Sequence, residues 1–452
     1  MFTFTGRSVA VLGLGVSNRP LLDLLLAEGA QITARDKKEK EAFAAWCEPY
    51  EARGVRFVCG ADYLSALTED VLVRAPGIRY DTTEIAAAVA RGAVLTSEME
   101  IFLERTPATV IGVTGSDGKT TTSTLIYEML RAAGHRVFLG GNIGNSLLPC
   151  LPEMQAGDIA VVELSSFQLH TMRRAPHIAV LTNLSPNHLD YHTDLAEYIA
   201  AKQNIYLHPP CTRLVVNLAN ALTRRLAETA PCAVTGFGGD GAVRVQEGVI
   251  CCAGVPVLDV ADIRLQGSHN VENYLAAIGA VWGLVGADAI RRVATTFCGV
   301  PHRLQIIAEQ GGITYINSSI DSTPSRTIAA LSALKDHAGH ILLILGGYDK
   351  HIPFTPLAEP ACTLARAVVL TGATASAIRT ALTTSGAYAE HPIPIYEAPH
   401  FADAVTVAMD LAKAGDVVLL SPACASFDAF ENFAARGGCF TDLVLAYLKK
   451  KG

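Results

Sequence analysis

Thr109-Val110-Ile111-Gly112-Val113-Thr114-Gly115-Ser116-Asp117-Gly118-Lys119-Thr120-Thr121 is the stretch from which the fold is read. A short β-branched run enters a glycine turn, and the turn opens directly into a helical pattern from Lys119 to Ala133. Backbone N–H groups of such a turn, with a helix N-terminus behind them, form a nest for phosphate oxygens. Gly115, Ser116, Asp117, Gly118 and Thr121 would line that nest, Lys119 would reach the β and γ phosphates, and the Thr120 hydroxyl would ligate Mg²⁺. The longer form of the pattern places a glycine five residues before Gly118, where this chain has Val113, so the match is to the shorter GxxGKT. The bland alternative is a tight strand-helix turn with a solvated lysine.

Working outward, β-branched runs alternate with helical patterns along the whole chain, which predicts parallel sheets with crossover helices. The polar, proline-bearing segment Glu104-Arg105-Thr106-Pro107 and the turn Gly299-Val300-Pro301 divide the chain into three blocks, 1–104, 105–300 and 301–452. Three units suit 452 residues at roughly 150 per domain.

Half of the residues are hydrophobic and 17 % are charged, which excludes a disordered polyelectrolyte. Lysine plus arginine number 36 against 43 acidic residues, a formal charge of −7, and no basic block exceeds Lys449-Lys450-Lys451. A nucleic-acid partner is therefore not expected, whereas a local anion pocket remains open. No apolar window approaches the ~20 residues that span a bilayer, so no membrane partner and a cytoplasmic location are expected. The eleven cysteines include no CxxC pair, which argues against zinc sites and disulfide scaffolds and for mostly buried thiols.

Further chemistry clusters at strand ends. Glu163 closes the run Ile159 to Glu163, where ligands of open α/β sheets converge, although a lone glutamate there is most often solvated. His188, in the loop after the run Ile178 to Asn183, could ligate a metal or hold substrate, or simply sit on the surface. Lys202 would ordinarily be a solvated helix-face charge. In the first block Gly13-Leu14-Gly15-Val16-Ser17-Asn18 approximates a dinucleotide fingerprint, with Asn18 where the third glycine belongs. That departure weakens a redox reading and leaves another phosphorylated ligand, with Asp36 near a sugar hydroxyl.

Taken in order, VAVLGLGVSN from Val9, APGI from Ala75, TGSDGKTT from Thr114, GGNIG from Gly140, VVELSSFQL from Val161, NLSPNHLDYH from Asn183, GSHNVEN from Gly267, VPHRLQ from Val300, GGYDK from Gly346 and SPACASFDAFENF from Ser421 resemble the Mur ligases over essentially the whole length. The resemblance implies an α/β protein of three domains: a Rossmann-like N-terminal domain binding a UDP substrate, a central P-loop-type mononucleotide-binding ATPase domain, and a Rossmann-like C-terminal domain. It implies ATP-dependent addition of D-glutamate to UDP-N-acetylmuramoyl-L-alanine through an acyl phosphate, in peptidoglycan precursor synthesis, by a monomer.

Carried over residue by residue, the resemblance places Lys119, His188 and Lys202 in catalysis, and Thr120, Glu163, His188 and Lys202 around two Mg²⁺ ions. In this family the lysine matching Lys202 is carbamylated, which turns a cation into a carboxylate-like ligand. Asn270, Asn273, Arg303 and Asp321 would meet the nucleotide. Val16, Ser17, Asp36, Pro76, Gly77 and Asn142 would hold the UDP substrate, and Ser322, Lys350, Ser426 and Phe433 the D-glutamate. The chain departs from relatives at Ala75, Ser318 and Ile320, and Asp321 is expected to replace a missing ribose-binding carboxylate. Other readings are a Mur-type or folylpolyglutamate-type ligase for a different amino acid, and a non-catalytic nucleotide-binding regulator. An NAD-dependent oxidoreductase leaves the second block unexplained.

Overall fold

Strands that end level with one another are what the fold contributes to function. A computed structural model describes residues 3–15, 18–143, 146–188, 191–265, 267–350 and 352–451. Its compact units are Met1–Phe297 and Cys298–Gly452. The first carries two sheets and the second one.

The N-terminal sheet is built from β1 (Ser8–Leu12), β2 (Gln31–Asp36), β3 (Arg56–Cys59), β4 (Val71–Arg74) and β5 (Val94–Thr96), all parallel, in the order β3-β2-β1-β4-β5. The order reverses at β1, and the loops after β1 and β4 leave a crevice there, the usual ligand position in open α/β sheets.

The second sheet contains β6 (Thr109–Thr114), β7 (Val137–Gly141), β8 (Ile159–Glu163), β9 (Ile178–Leu181), β10 (Arg213–Asn217), β11 (Ala233–Phe237), β12 (Val243–Gln246), β13 (Val249–Cys252) and β14 (Val255–Asp259). β6 lies between β8 and β9, parallel to both. Val113 and Gly141 both pair with Glu163, and Thr114 pairs with Leu181, so four loops leave the sheet at one level. Behind them the helix Lys119–Ala132 buries Leu125, Ile126, Met129 and Leu130. Each such side chain contributes about 1.5–3 kcal/mol when fully buried, which anchors the turn in front of it.

The second unit has β15 (Gln305–Gln310), β16 (Ile313–Asn317), β17 (Ile341–Leu345), β18 (Ala365–Leu370), β19 (Ile395–Glu397) and β20 (Val417–Leu420), in the order β15-β16-β20-β17-β18-β19. Leu420 pairs with both Asn317 and Ile344, so the loops opening at Ser318, Gly346 and Ser421 emerge together.

Antiparallel pairs extend the expected parallel sheets. β12, β13 and β14 pair antiparallel, as do β15 and β16. Glu247-Gly248 and Ala253-Gly254 each place two residues at positive φ between adjacent strands, the backbone of tight hairpin turns. The expectation of mostly buried thiols is too strong: Cys47, Cys251, Cys252, Cys362 and Cys424 are buried, and the other six are half-buried.

Candidate active site

The turn after β6 is held from three sides. Ser116 Oγ contacts the Tyr198 hydroxyl at 2.8 Å and donates to Ser185 O at 3.0 Å. Asp117 N donates to Asn183 Oδ1 at 2.9 Å, and Thr182 Oγ1 donates to Asp117 O at 2.6 Å. Gly118 has φ +77, and a Cβ there would lie 2.3 Å from Asn273 Oδ1, so both conformation and space require glycine. Lys119 Nζ folds back onto the carbonyls of Gly115 (3.0 Å) and Ser116 (2.8 Å), so its ammonium sits inside the turn that would receive phosphates.

Lys202, expected on a solvated helix face, is instead 1 % exposed. Its Nζ donates to Gly115 O at 2.8 Å and Thr114 Oγ1 at 3.1 Å, and lies 4.9 Å from the centre of the Tyr198 ring. Burial, and then the neighbouring charge of Lys119, push this amine well below the ordinary lysine range. Lys202 falls on the buried stripe of its helix with Tyr198, Ala201, Ile205 and Tyr206.

Glu163 is likewise buried, at 2 % exposure. Asn142 N donates to Glu163 O at 2.9 Å, and Asn142 Nδ2 donates to Glu163 Oε1 at 2.7 Å. Glu163 Oε2 is buried without a hydrogen-bond partner among the described residues. A carboxylate oxygen left this way costs ~1–3 kcal/mol or more, and a cation would relieve it. The donor set of Thr120 and Glu163, both oxygen, suits Mg²⁺. Lys202 as an amine with three protons does not ligate a metal. His188 is exposed, has φ +54, and stands edge-on to Phe167 with centroids 5.0 Å apart.

Beside the turn lies a cavity of about 390 Å³ lined by Asp117, Gly118, Thr182, Asn183, Phe237, His269, Glu272 and Asn273. Asn273 Oδ1 accepts from Thr122 Oγ1 at 3.2 Å, and its Nδ2 donates to Asn270 Oδ1 at 3.2 Å. His269 and Glu272 lie inside the GSHNVEN motif, yet sequence reasoning gave them no role of their own. Phe237, at the end of β11, carried no sequence signal.

Of the residues expected at the UDP substrate, Asp36 closes β2 and Pro76 and Gly77 follow β4, whereas Asn142 follows β7 and is bound to Glu163. Gly13 N donates to Arg35 O, Ala75 N to Leu12 O, and Leu14 N to Asp36 Oδ2 at 2.7 Å. A Cβ on Gly13 would stand 2.7 Å from that of Ala75, which is why this turn takes glycine. Asn18 is buried and its Nδ2 donates to the carbonyls of Leu12 (3.3 Å) and Gly13 (2.9 Å), closing the turn from the position where a dinucleotide fingerprint has glycine. Pro76 and Gly77 follow Ala75 in the same crevice. Val16 and Ser17 lie outside the described residues.

In the second unit Lys350 Nζ donates to Ser322 Oγ at 3.2 Å, joining two of the four residues expected at D-glutamate. Ser426 is buried, and Phe433 stands edge-on to His302. Arg303 is exposed at the start of this unit. Asp321 is buried and accepts from Ser421 Oγ at 2.8 Å, so its carboxylate is engaged within the unit.

The turn after β6, the buried Glu163 with one unpartnered oxygen and the depressed Lys202 all lie in a stretch that matches known proteins. Residues 113–281 match the Mur ligase middle domain, and residues 302–424 the Mur ligase, glutamate ligase domain. UDP-N-acetylmuramoylalanine–D-glutamate ligase of Acetivibrio thermocellus is 44 % identical over 450 residues, covering 97 % of this chain and 96 % of that protein. The protein of the same name from Clostridium novyi is 43 % identical over 444 residues, with the same shares covered.

The chain belongs to the Mur ligase family.

Among solved structures, UDP-N-acetylmuramate-alanine ligase MurC from Thermotoga maritima superposes with a TM-score of 0.55 at 19 % identity, covering 98 % of this chain and 100 % of that one. MurF from Acinetobacter baumannii gives 0.56 at 17 % identity, with 97 % and 91 % covered. Both share the fold of this Mur ligase. Its α/β architecture is therefore that of the family. No helix among the described residues is long and apolar enough to cross a membrane.

Proposed function

We propose that this Mur ligase joins D-glutamate to UDP-N-acetylmuramoyl-L-alanine with hydrolysis of ATP to ADP and phosphate, in peptidoglycan precursor synthesis. The observation that carries this reading is the buried pair at the ends of β6 and β8: Lys202 Nζ on Gly115 O at 2.8 Å, and the Glu163 Oε2 that has no described partner.

In the reaction, a carboxylate oxygen of the substrate's L-alanine attacks the γ phosphorus, the bond to the β–γ bridging oxygen breaks, and ADP leaves. The amine of D-glutamate then adds to the acyl phosphate carbon. The C–O bond to phosphate breaks, and the amine gives up a proton. Both reactants of the first step are anions, so positive charge has to gather where they meet. Lys119 supplies one charge, turning from the Gly115 and Ser116 carbonyls to the phosphates. Thr120 with Glu163 would hold one Mg²⁺, and His188 with a carbamylated Lys202 a second, the ions offsetting the repulsion between the two anions. Asn142 orients Glu163 through its 2.7 Å bond.

A carbamate forms when the lysine nitrogen adds to the carbon of CO₂ and loses a proton, which needs the neutral amine. Burial beside Lys119 favours that form. Asn270, Asn273 and the cavity that Asn273 borders would take the adenine end of ATP. Within the same proposal, residues 1–104 bind the UDP moiety through Asp36, Pro76 and Gly77, residues 105–300 bind ATP, and residues 301–452 bind the amino acid through Ser322, Lys350, Ser426 and Phe433. Arg303 would contact nucleotide. Asp321 can reach a ribose only by leaving Ser421. The active form is a monomer working in the cytoplasm, where ATP is supplied.

The test is phosphate release with ATP and UDP-N-acetylmuramoyl-L-alanine as single amino acids are offered in turn. D-glutamate stimulates release and L-glutamate does not. Stimulation by another amino acid instead assigns a different ligase, and ATP binding without turnover under any combination assigns a nucleotide-binding regulator.

A further inference from the structure

Away from the phosphate turn, the segment after the short helix Ser166–Leu169, the segment before the helix Leu195–Leu207 and the first turn of that helix bring His170, His192 and Glu197 together. His170 Nε2 lies 3.3 Å from Glu197 Oε1, and His192 Nδ1 lies 3.7 Å from Glu197 Oε2. One ligand atom from each residue falls within 4.8 Å of the other two. His192 is 1 % exposed, and its Nε2 is 3.0 Å from Ser166 Oγ. Its Nδ1 is buried with no hydrogen-bond partner among the described residues.

At 3.7 Å that nitrogen is too far from the carboxylate for a hydrogen bond. It is well placed for both groups to reach one ion, because ligands at ~2.0–2.1 Å from a tetrahedral zinc stand roughly 3.3 Å apart. Two imidazoles and one carboxylate suit a borderline transition ion better than Mg²⁺, which prefers oxygen.

Arg79 is the rival occupant. Its NH2 lies 3.1 Å from Glu197 Oε1, but it also makes two bonds to Asp81, at 2.8 and 2.7 Å. Giving up Glu197 would therefore not leave the guanidinium unpaired.

We propose that His170, His192 and Glu197 form a site for a borderline divalent transition ion such as Zn²⁺, separate from the magnesium ligands, with Arg79 as the built-in competitor for Glu197. Occupancy would stiffen the segment carrying His188, because His192 N donates to His188 O at 3.0 Å and Phe167 packs against both rings.

The experiment titrates the full chain with Co²⁺ alone in excess Mg²⁺ and follows visible d–d absorption. The wild type develops the band of a tetrahedral nitrogen and oxygen site, without thiolate charge transfer, and Zn²⁺ abolishes it. His170→Gln and Glu197→Gln weaken Co²⁺ binding by at least about tenfold, while Arg79→Gln tightens it. Thermal melts establish that each variant is folded, and if Glu197→Gln is not, His170→Gln carries the comparison. Absence of the band in wild type, equal binding by His170→Gln, or weaker binding by Arg79→Gln overturns the proposal.

Discussion

Lys119 and Lys202 donate to the same acceptor, the carbonyl oxygen of Gly115, at 3.0 and 2.8 Å. Two ammonium groups on one carbonyl repel each other, and the more deeply buried gives way by losing its proton more readily. The sharing thus prepares Lys119 to leave for a phosphate and Lys202 to react as a neutral amine. Replacing Lys202 with alanine is predicted to lower turnover on the order of 10²–10³-fold. Short carboxylic acids added to the Lys202→Ala enzyme should restore part of the rate, while Lys202→Arg should show no such rescue. Steady-state phosphate release measures both, and undiminished turnover of Lys202→Ala would remove this residue from the site.

Gly118→Ala places a methyl group 2.3 Å from Asn273 Oδ1 in a left-handed backbone conformation. The conformational cost alone is about 1–2 kcal/mol. Because Asn273 borders the cavity beside the turn, nucleotide affinity should fall together with the melting temperature. A variant that melts early but binds ATP as tightly as wild type would show that Asn273 and the cavity have no part in nucleotide binding.

Glu98, at the start of the helix Glu98–Arg105, is buried, and burial pushes its carboxyl up to about 7 despite the 2.6 Å bond from Ser146 Oγ. Below its ordinary value of 4.5 the group is protonated in both folded and unfolded states and has no effect on stability. As pH rises, the unfolded chain ionises first. Stability therefore falls between about 4.5 and 7 and stays reduced above that, by at most about 3 kcal/mol. Glu98→Gln, which keeps an acceptor for Ser146, should raise the melting temperature at about pH 8 and leave it unchanged near pH 4. Equal shifts at both values would contradict the assignment.

Asn18→Ala removes the amide that ties the Leu12 and Gly13 carbonyls. A loss of roughly 1–2 kcal/mol is expected, with weaker binding of the UDP substrate and unchanged ATP affinity. Calorimetry with each ligand separates the two, and a loss of ATP affinity alone would contradict the placing of the UDP moiety at this turn.

The phosphate turn and Glu163 follow strands whose ends can be located from β-branched runs, which is why Lys119, Thr120 and Glu163 are legible in the amino-acid sequence, whereas Asn273, inside the helix Ser268–Val281, enters only through the family resemblance. What is not legible depends on packing between distant segments. In the helix Leu195–Leu207 the 3.6-residue period puts Lys202 on the stripe of Tyr198, Ala201, Ile205 and Tyr206, but its meeting with the Gly115 carbonyl follows from the tertiary fold alone. The hairpins at Glu247-Gly248 and Ala253-Gly254 give no such signal because glutamate and alanine seldom take left-handed backbone, so the usual Asn-Gly or Asp-Gly cue is missing. Asp321 stands out only by its position next to a missing carboxylate, and its bond to Ser421, a hundred residues on in sequence, follows from the tertiary fold alone.

The claim that a carboxylate is activated by phosphoryl transfer at the Lys119 turn is tested most directly with UDP-N-acetylmuramoyl-L-alanine labelled with ¹⁸O in its alanine carboxylate. With ATP and D-glutamate, one labelled oxygen should appear in each phosphate released, carried off when the amine displaces it. Phosphate free of label, with amide product still formed, would contradict the account.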